Sequence, residues 1–192
     1  MKKITYFLGL TLVVLSLQSC FLLGGTVQTE SVAELAVGSK VGEKTIIAMN
    51  PNSGSWKFLA MGTPSETMPW DLNASKYLTV SYLSTDIGRG KANTIDLRAQ
   101  FEENGSKTHT AENCAAIYCM QRGGWLPSRD EAAKVAEFTS VKFWTSNAEA
   151  TSKAYFYNPI SQHAETAFRN ERRTIVTIPV YYLDALGNVV EP

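Results

Sequence analysis

The sequence predicts a single α+β domain, and three observations carry that prediction. A turn and a helix start are written into GGWLPSRDEAAKVAEF, Gly123 to Phe138. Runs of strand type stand before it, between Lys40 and Met61, and after it, from Val141 to Leu183. In between, 93–101, only moderately amphipathic, and 111–121 read as helices. Two to three helices and a mostly antiparallel sheet follow from this order.

The chain opens with Lys2 and Lys3, then an apolar run from Ile4 to Leu17 that is too short to span a bilayer comfortably, closed by Leu17-Gln18-Ser19-Cys20. This resembles a bacterial lipoprotein signal. It has a basic start, an apolar run, Leu at −3, small Ser at −1 and Cys at +1, with Gln18 at the permissive −2 position. The resemblance implies that residues 1–19 are removed and that Cys20 becomes a lipidated N-terminus. Each buried methylene of an acyl chain contributes about 0.8 kcal/mol, so several chains on one residue anchor firmly where one would not. The expected setting is the cell envelope of a bacterium, outer membrane or cell surface, with the bilayer itself as a partner through Cys20. An ordinary cleaved secretory signal, with Cys20 incidental, is the alternative. Residues 20–39, with Gly24 and Gly25 in a small and polar run, read as a tether. The domain proper is then 40–192.

Within it, Lys40–Met49 reads as a strand ended by Asn50-Pro51-Asn52, and Ser55–Met61 alternates as its hairpin partner. Gly62–Asp71, with Pro64, Pro69 and Trp70, has no periodicity and reads as a loop. Gly88-Arg89-Gly90-Lys91 is a glycine-interrupted loop, after which Asn93 or Thr94 caps a helix to Phe101. Its spacing matches neither a P-loop nor a GxGxxG turn, so a phosphate cradle is not indicated. Ala111–Gln121 forms a second helix that buries Cys114, Ala115, Ile117 and Tyr118. Gly123 and Gly124 supply left-handed turn positions, Trp125 and Leu126 bury, and Pro127 forbids a helix before itself. Ser128 then caps a third helix to Phe138, with Glu131 completing a capping box. Strands follow from Val141, Ala154, Thr166 and Thr174. The last, TIVTIPVYYL, has the apolar run of a central strand, with Pro179 at a bulge or an unpaired position.

The full chain carries 18 basic and 18 acidic residues. Loss of Lys2 and Lys3 with the leader leaves it slightly acidic, near −2. Such a balance offers nucleic acid no basic footprint and would not by itself hold an anionic lipid surface.

Asp86-Ile87-Gly88 with Gly90-Lys91-Ala92-Asn93-Thr94, a helix carrying Cys114, then GGWLPSRDE and FWTSNAEATSKAYFYNP, together resemble a bacterial family of unknown function. That family is typified by the C-terminal domain of the Legionella collagen-like adhesin. The strongest pieces are Trp125-Leu126-Pro127-Ser128 with Asp130-Glu131, and Phe143-Trp144-Thr145-Ser146; Arg172-Arg173-Thr174-Ile175-Val176 echoes the family's C-terminal element loosely. The resemblance covers about Gly42 to Leu183. It implies a C-type-lectin-like fold in which the strand at Phe143 lies opposite the one at Ala154–Tyr157.

Lectin-like domains that bind sugar through calcium need Glu-Pro-Asn or Gln-Pro-Asp and Trp-Asn-Asp, because Ca²⁺ wants several converging oxygens. Neither triplet occurs, and Asn158-Pro159 is preceded by Tyr157. Calcium-independent ligand binding or adhesion is therefore expected, with no cofactor and no metal. Formylglycine-generating oxidases share the fold and supply an enzyme alternative, but they rely on a C-terminal cysteine pair, and no cysteine follows Cys119. A purely structural envelope role is a third reading. On a continuous helix Cys114 and Cys119 lie about 140° apart, too far for a disulfide, so both read as small buried groups. A zinc site at His109, Cys114 and Cys119 lacks a fourth ligand at usable spacing. The candidate ligand surface is Trp144, Asn147, Tyr155, Tyr157, Asn158 and Arg169, on or beside the loop joining the late strands. Aromatic rings with amide and guanidinium donors suit glycan or protein contacts, although half or more of the six are expected in the core.

Overall fold

The computed structural model describes residues 34–52, 54–72, 83–103, 109–149 and 152–191. The leader, Cys20 and most of the expected tether lie outside the described residues. From Leu35 onward the described residues form one compact unit, so order begins before Lys40. Leu35 packs on a buried cluster and the Gly38 N–H donates to the Ile46 carbonyl at 2.8 Å. Among the described residues no helix is long and apolar enough to cross a membrane.

The unit is a mixed α+β domain. Among the described residues it has seven strands, β1 (Lys40–Val41), β2 (Lys44–Met49), β3 (Phe58–Met61), β4 (Phe143–Ala148), β5 (Lys153–Asn158), β6 (His163–Phe168) and β7 (Val180–Leu183). Among the described residues between β3 and β4 stand three helices, α1 (Gly90–Glu103), α2 (Ala115–Gln121) and α3 (Arg129–Val135). There are two sheets where one was expected, ordered β1-β2-β3-β7 and β4-β5-β6, and their strand pairs are all antiparallel. The early hairpin forms, and so does the expected pairing of Phe143–Trp144 with Tyr157–Phe156.

Strand alternation sorts the core. On β3 and β7, Leu59, Met61, Val180 and Tyr182 join one cluster with Val135 and Phe143, while Phe58, Ala60, Tyr181 and Leu183 join another with Ile46. A register irregularity between Ile46 and Ala48 turns both Ile47 and Ala48 toward the first of these clusters. The second sheet lays Trp144, Ala154 and Phe156 against Trp70, Leu97 and Phe101, and aims Phe143 and Tyr157 at α3.

Several boundaries differ from the sequence reading, each for a tertiary reason. Helix α1 starts at Gly90, so Asn93 and Thr94 are buried helical residues instead of caps: Asn93 Nδ2 donates to Ser84 O (2.7 Å) and Ser146 Oγ (2.9 Å), and Thr94 Oγ1 donates to Gly90 O and accepts from Leu126 N. Helix α2 begins only at Ala115, because 113–115 pair with 70–72: Leu72 N donates to Asn113 O and Ala115 N to Trp70 O. Of the two glycines in the turn, only Gly123 has a left-handed φ, at 67°. Gly124 is there for space, since a Cβ would come within 2.9 Å of the Tyr181 ring. TIVTIPVYYL is no central strand. Pro179 cannot donate and splits it, so only Val180–Leu183 pairs with β3, while Val176 bridges Thr67 on one side and Phe143 on the other.

Candidate functional site

Five of the six residues expected to offer a ligand surface are buried and engaged internally. Trp144 is fully enclosed, its Nε1 donating to Met68 O at 2.7 Å. Asn147 sits where β4 loses register with β5. Its Oδ1 accepts from Arg129 N and its Nδ2 donates to Leu83 O and Ser84 O, fastening two loops. Tyr157 stacks on Phe143, and its hydroxyl closes the β5–β6 hairpin through Gln162 O. Asn158 Nδ2 donates to Glu165 and its Oδ1 caps Ile160 N in the same hairpin. Tyr155 alone is half-buried, with the Arg129 guanidinium 4.8 Å from its ring centre. The six also point to both faces of the second sheet, so they form no common surface.

Arg169 shows why. Its backbone follows β6, but its guanidinium reaches inward over the Trp70 ring, at 5.3 Å, and pairs with Asp71 Oδ2. The other Asp71 oxygen meets His109 Nε2 at 2.8 Å, and His109 stacks on Phe101 at 4.5 Å. Asp71 and Arg169 are 1% and 0% exposed. This is an internal crosslink between three distant segments. It also occupies the imidazole that a zinc reading needed.

Cys114 and Cys119 are unbridged and buried. Cys114 is the extended N-cap of α2, outside the helix that was expected to hold both. Burial pushes the Cys114 thiol up to about 12, and burial with the neighbouring Cys114 raises Cys119 as well. Both are closed, protonated thiols at neutral pH.

An open aromatic and charged groove lies elsewhere, between α2 and the extended stretch 62–68. That stretch is fixed by Gly62 N to Pro179 O (2.8 Å), Ser65 N to Thr177 O (2.8 Å) and Met68 N to Ile175 O (3.0 Å). Helix α2 turns Ala115, Ala116 and Cys119 into the core and leaves Tyr118 half-buried and Arg122 exposed, against the expectation that Tyr118 is core. Two clefts, of about 540 and 530 Å³, share Pro64, Tyr118 and Arg122 as the ridge between them. The first is completed by Glu43, Lys44 and Tyr181, the second by Glu66, Glu112 and Gln121.

The ridge and floor are pre-set. The Arg122 guanidinium lies 3.6 Å from the Tyr118 ring centre, and Lys44 Nζ lies 4.8 Å over Tyr181. Tyr181 O–H donates to Arg122 O at 3.3 Å, tying floor to ridge. A Cβ at Gly62 or Gly124 would meet that ring at 3.0 and 2.9 Å, so the two glycines clamp it. Among the described residues neither Lys44 nor Arg122 is ion-paired. Burial raises the Tyr118 and Tyr181 phenols, so both stay neutral donors. The Tyr118–Arg122 pair was visible in the sequence as an i, i+4 spacing at a helix end. Lys44 and Tyr181 come from strands far apart in the chain, and no local signal joins them. No protein-family model, curated protein or solved structure matches this chain.

Proposed function

We propose that this chain is an exported bacterial lipoprotein, held at the outer membrane or cell surface through acyl chains on Cys20, whose lectin-like domain binds a ligand without calcium. The observation that carries the binding role is the open groove at Tyr118 and Arg122, where two tyrosines carry two cations that are not ion-paired among the described residues. Pre-organisation of this kind lowers the entropy lost on binding. The order of motifs from Asp86 to Pro159 supports a lectin-like fold, and the two antiparallel sheets with three helices are compatible with it. Asn158 spends its side chain inside a hairpin, which speaks against a calcium role for Asn158-Pro159. The enclosed, protonated thiols speak against cysteine-oxidase chemistry.

Two measurements test the reading. Mass spectrometry of the membrane fraction is expected to find a lipid-modified N-terminal Cys20, and an unmodified peptide reading through Ser19-Cys20 in the mature protein would sink the anchor. Glycan and host-protein arrays probed with the full chain, in calcium and in chelator, are expected to give saturable binding that chelator leaves unchanged.

A further inference from the structure

We infer that the groove takes an acidic oligosaccharide, with a sugar carboxylate seated between Lys44 and Arg122 and the next sugar ring across the Tyr118 ridge. This rests on the binding-module reading above and names the ligand class for it.

The two clefts differ in charge. The first has Lys44 and Arg122 against Glu43, one net positive charge, while the second sets Glu66 and Glu112 beside the shared Arg122. A monoanion balances the first cleft, whereas a dianion such as a phosphate monoester would meet Glu43 without a matching cation. Both cations lie against tyrosine rings at the groove, and a planar guanidinium suits a carboxylate. The second cleft is rich in acceptors. A hydrogen bond with Thr110 holds the Glu112 carboxyl below the usual carboxylate range, so it accepts at neutral pH. Carboxylates accept only, so the matching ligand surface must donate repeatedly, as the hydroxyls of a sugar ring do. The ridge of Tyr118 and Arg122 divides the groove into two spaces of nearly equal size, which fits a ligand of two linked rings.

The test uses the full chain in detergent micelles, titrated calorimetrically with hyaluronan hexasaccharide, an aldotetraouronic acid (one uronate on three neutral xylose rings) and sialyllactose. Carboxyl-reduced forms of the first two, and lactose, serve as neutral counterparts. At least one acidic probe is expected to bind, and its neutral counterpart to bind tenfold or more weakly. Losing one charge-assisted contact is worth about 1.5–3 kcal/mol, so Lys44→Met and Arg122→Met should each weaken binding by about tenfold or more. Both side chains are at the surface, and circular dichroism of the variants checks that they fold. Arg122→Lys should fall between wild type and Arg122→Met, because charge remains and the planar stack is lost. The inference is overturned if none of the three acidic probes binds, if reduction of the carboxyl leaves affinity unchanged, or if both Met variants bind like wild type. Binding of a polyaspartate peptide in the groove, with every oligosaccharide silent, would overturn the sugar assignment and leave the binding module standing. Silence of these probes together with silent arrays would remove both.

Discussion

Two buried carboxylates, Glu131 and Asp71, hold this domain together in opposite ways. Glu131 is fully buried and is met by neutral donors: Ser128 N at 2.7 Å, Gly88 N at 2.9 Å and the Tyr182 hydroxyl at 2.6 Å. Asp71 is as deeply buried but is met by the Arg169 guanidinium and His109. The first site joins the loop before α1, the start of α3 and strand β7 with no cation among the described residues, and burial raises the Glu131 carboxyl. The second joins the segments around 71, 109 and 169 by charge. A carboxylate held by neutral hydrogen bonds titrates at the expense of its burial, whereas one beside a guanidinium depends on that partner being present.

The largest expected effect breaks the charged site. Arg169→Met removes the cation facing a buried Asp71, and breaking such a pair typically costs about 3–5 kcal/mol. Urea unfolding of the variant measures it. Adding Asp71→Asn should recover a large part of the loss, because the charge left behind is then gone; a double variant no more stable than Arg169→Met would show that packing, not charge, sets the cost.

The neutral site gives a smaller loss with a pH signature. Glu131→Gln keeps an acceptor for Gly88 and Tyr182 but turns an N–H toward the Ser128 N–H, so a loss of about 1–3 kcal/mol is expected. Because the folded carboxyl is raised above its unfolded value near 4.3, its contribution is full below that value and is lost as pH rises through the folded one. Wild type should therefore lose stability over that window, and Glu131→Gln should lose less. Equal pH dependence of wild type and variant in denaturant titrations would mean that other groups set it.

The smallest effect probes how closely α1 approaches the neutral site. A Cβ on Gly90 would stand 2.4 Å from Glu131 Oε2 and 2.5 Å from Leu126 O. Gly90→Ala gains up to about 1 kcal/mol of helix propensity but loses about 1–3 kcal/mol to overpacking. A modest net destabilisation is expected in thermal unfolding, and a stabilised variant would show that α1 shifts freely.

The two sites also differ in how far they could be read in advance. Ser128 and Glu131 are three residues apart, and the capping box forms as its spacing predicts, with Ser128 Oγ accepting from Glu131 N. Its second role, receiving Gly88 and Tyr182, has no local signal. Asp71 and Arg169 are 98 residues apart. Arg169 stands in the sequence as a guanidinium donor beside the late strands, and only the approach of Trp70 and Asp71 makes it an interior residue. Tyr118 shows the reverse case. Helical spacing marked it as core, yet α2 is short and Ala115, Ala116 and Cys119 fill its buried face, so Tyr118 packs on the rim of that cluster with one side open.

By itself the sequence determined the α+β class, the early hairpin, the three helices in their order, and the capped start of α3. All of these follow from interactions between residues near in the chain, or from alternation that places one face inward. Tertiary structure decided the division into two sheets, the splitting of the last apolar run at Pro179, the burial of the aromatic and amide residues expected at the surface, and the groove at Tyr118. Each depends on which distant segment arrives alongside, and burial is a property of that arrival, not of the residue.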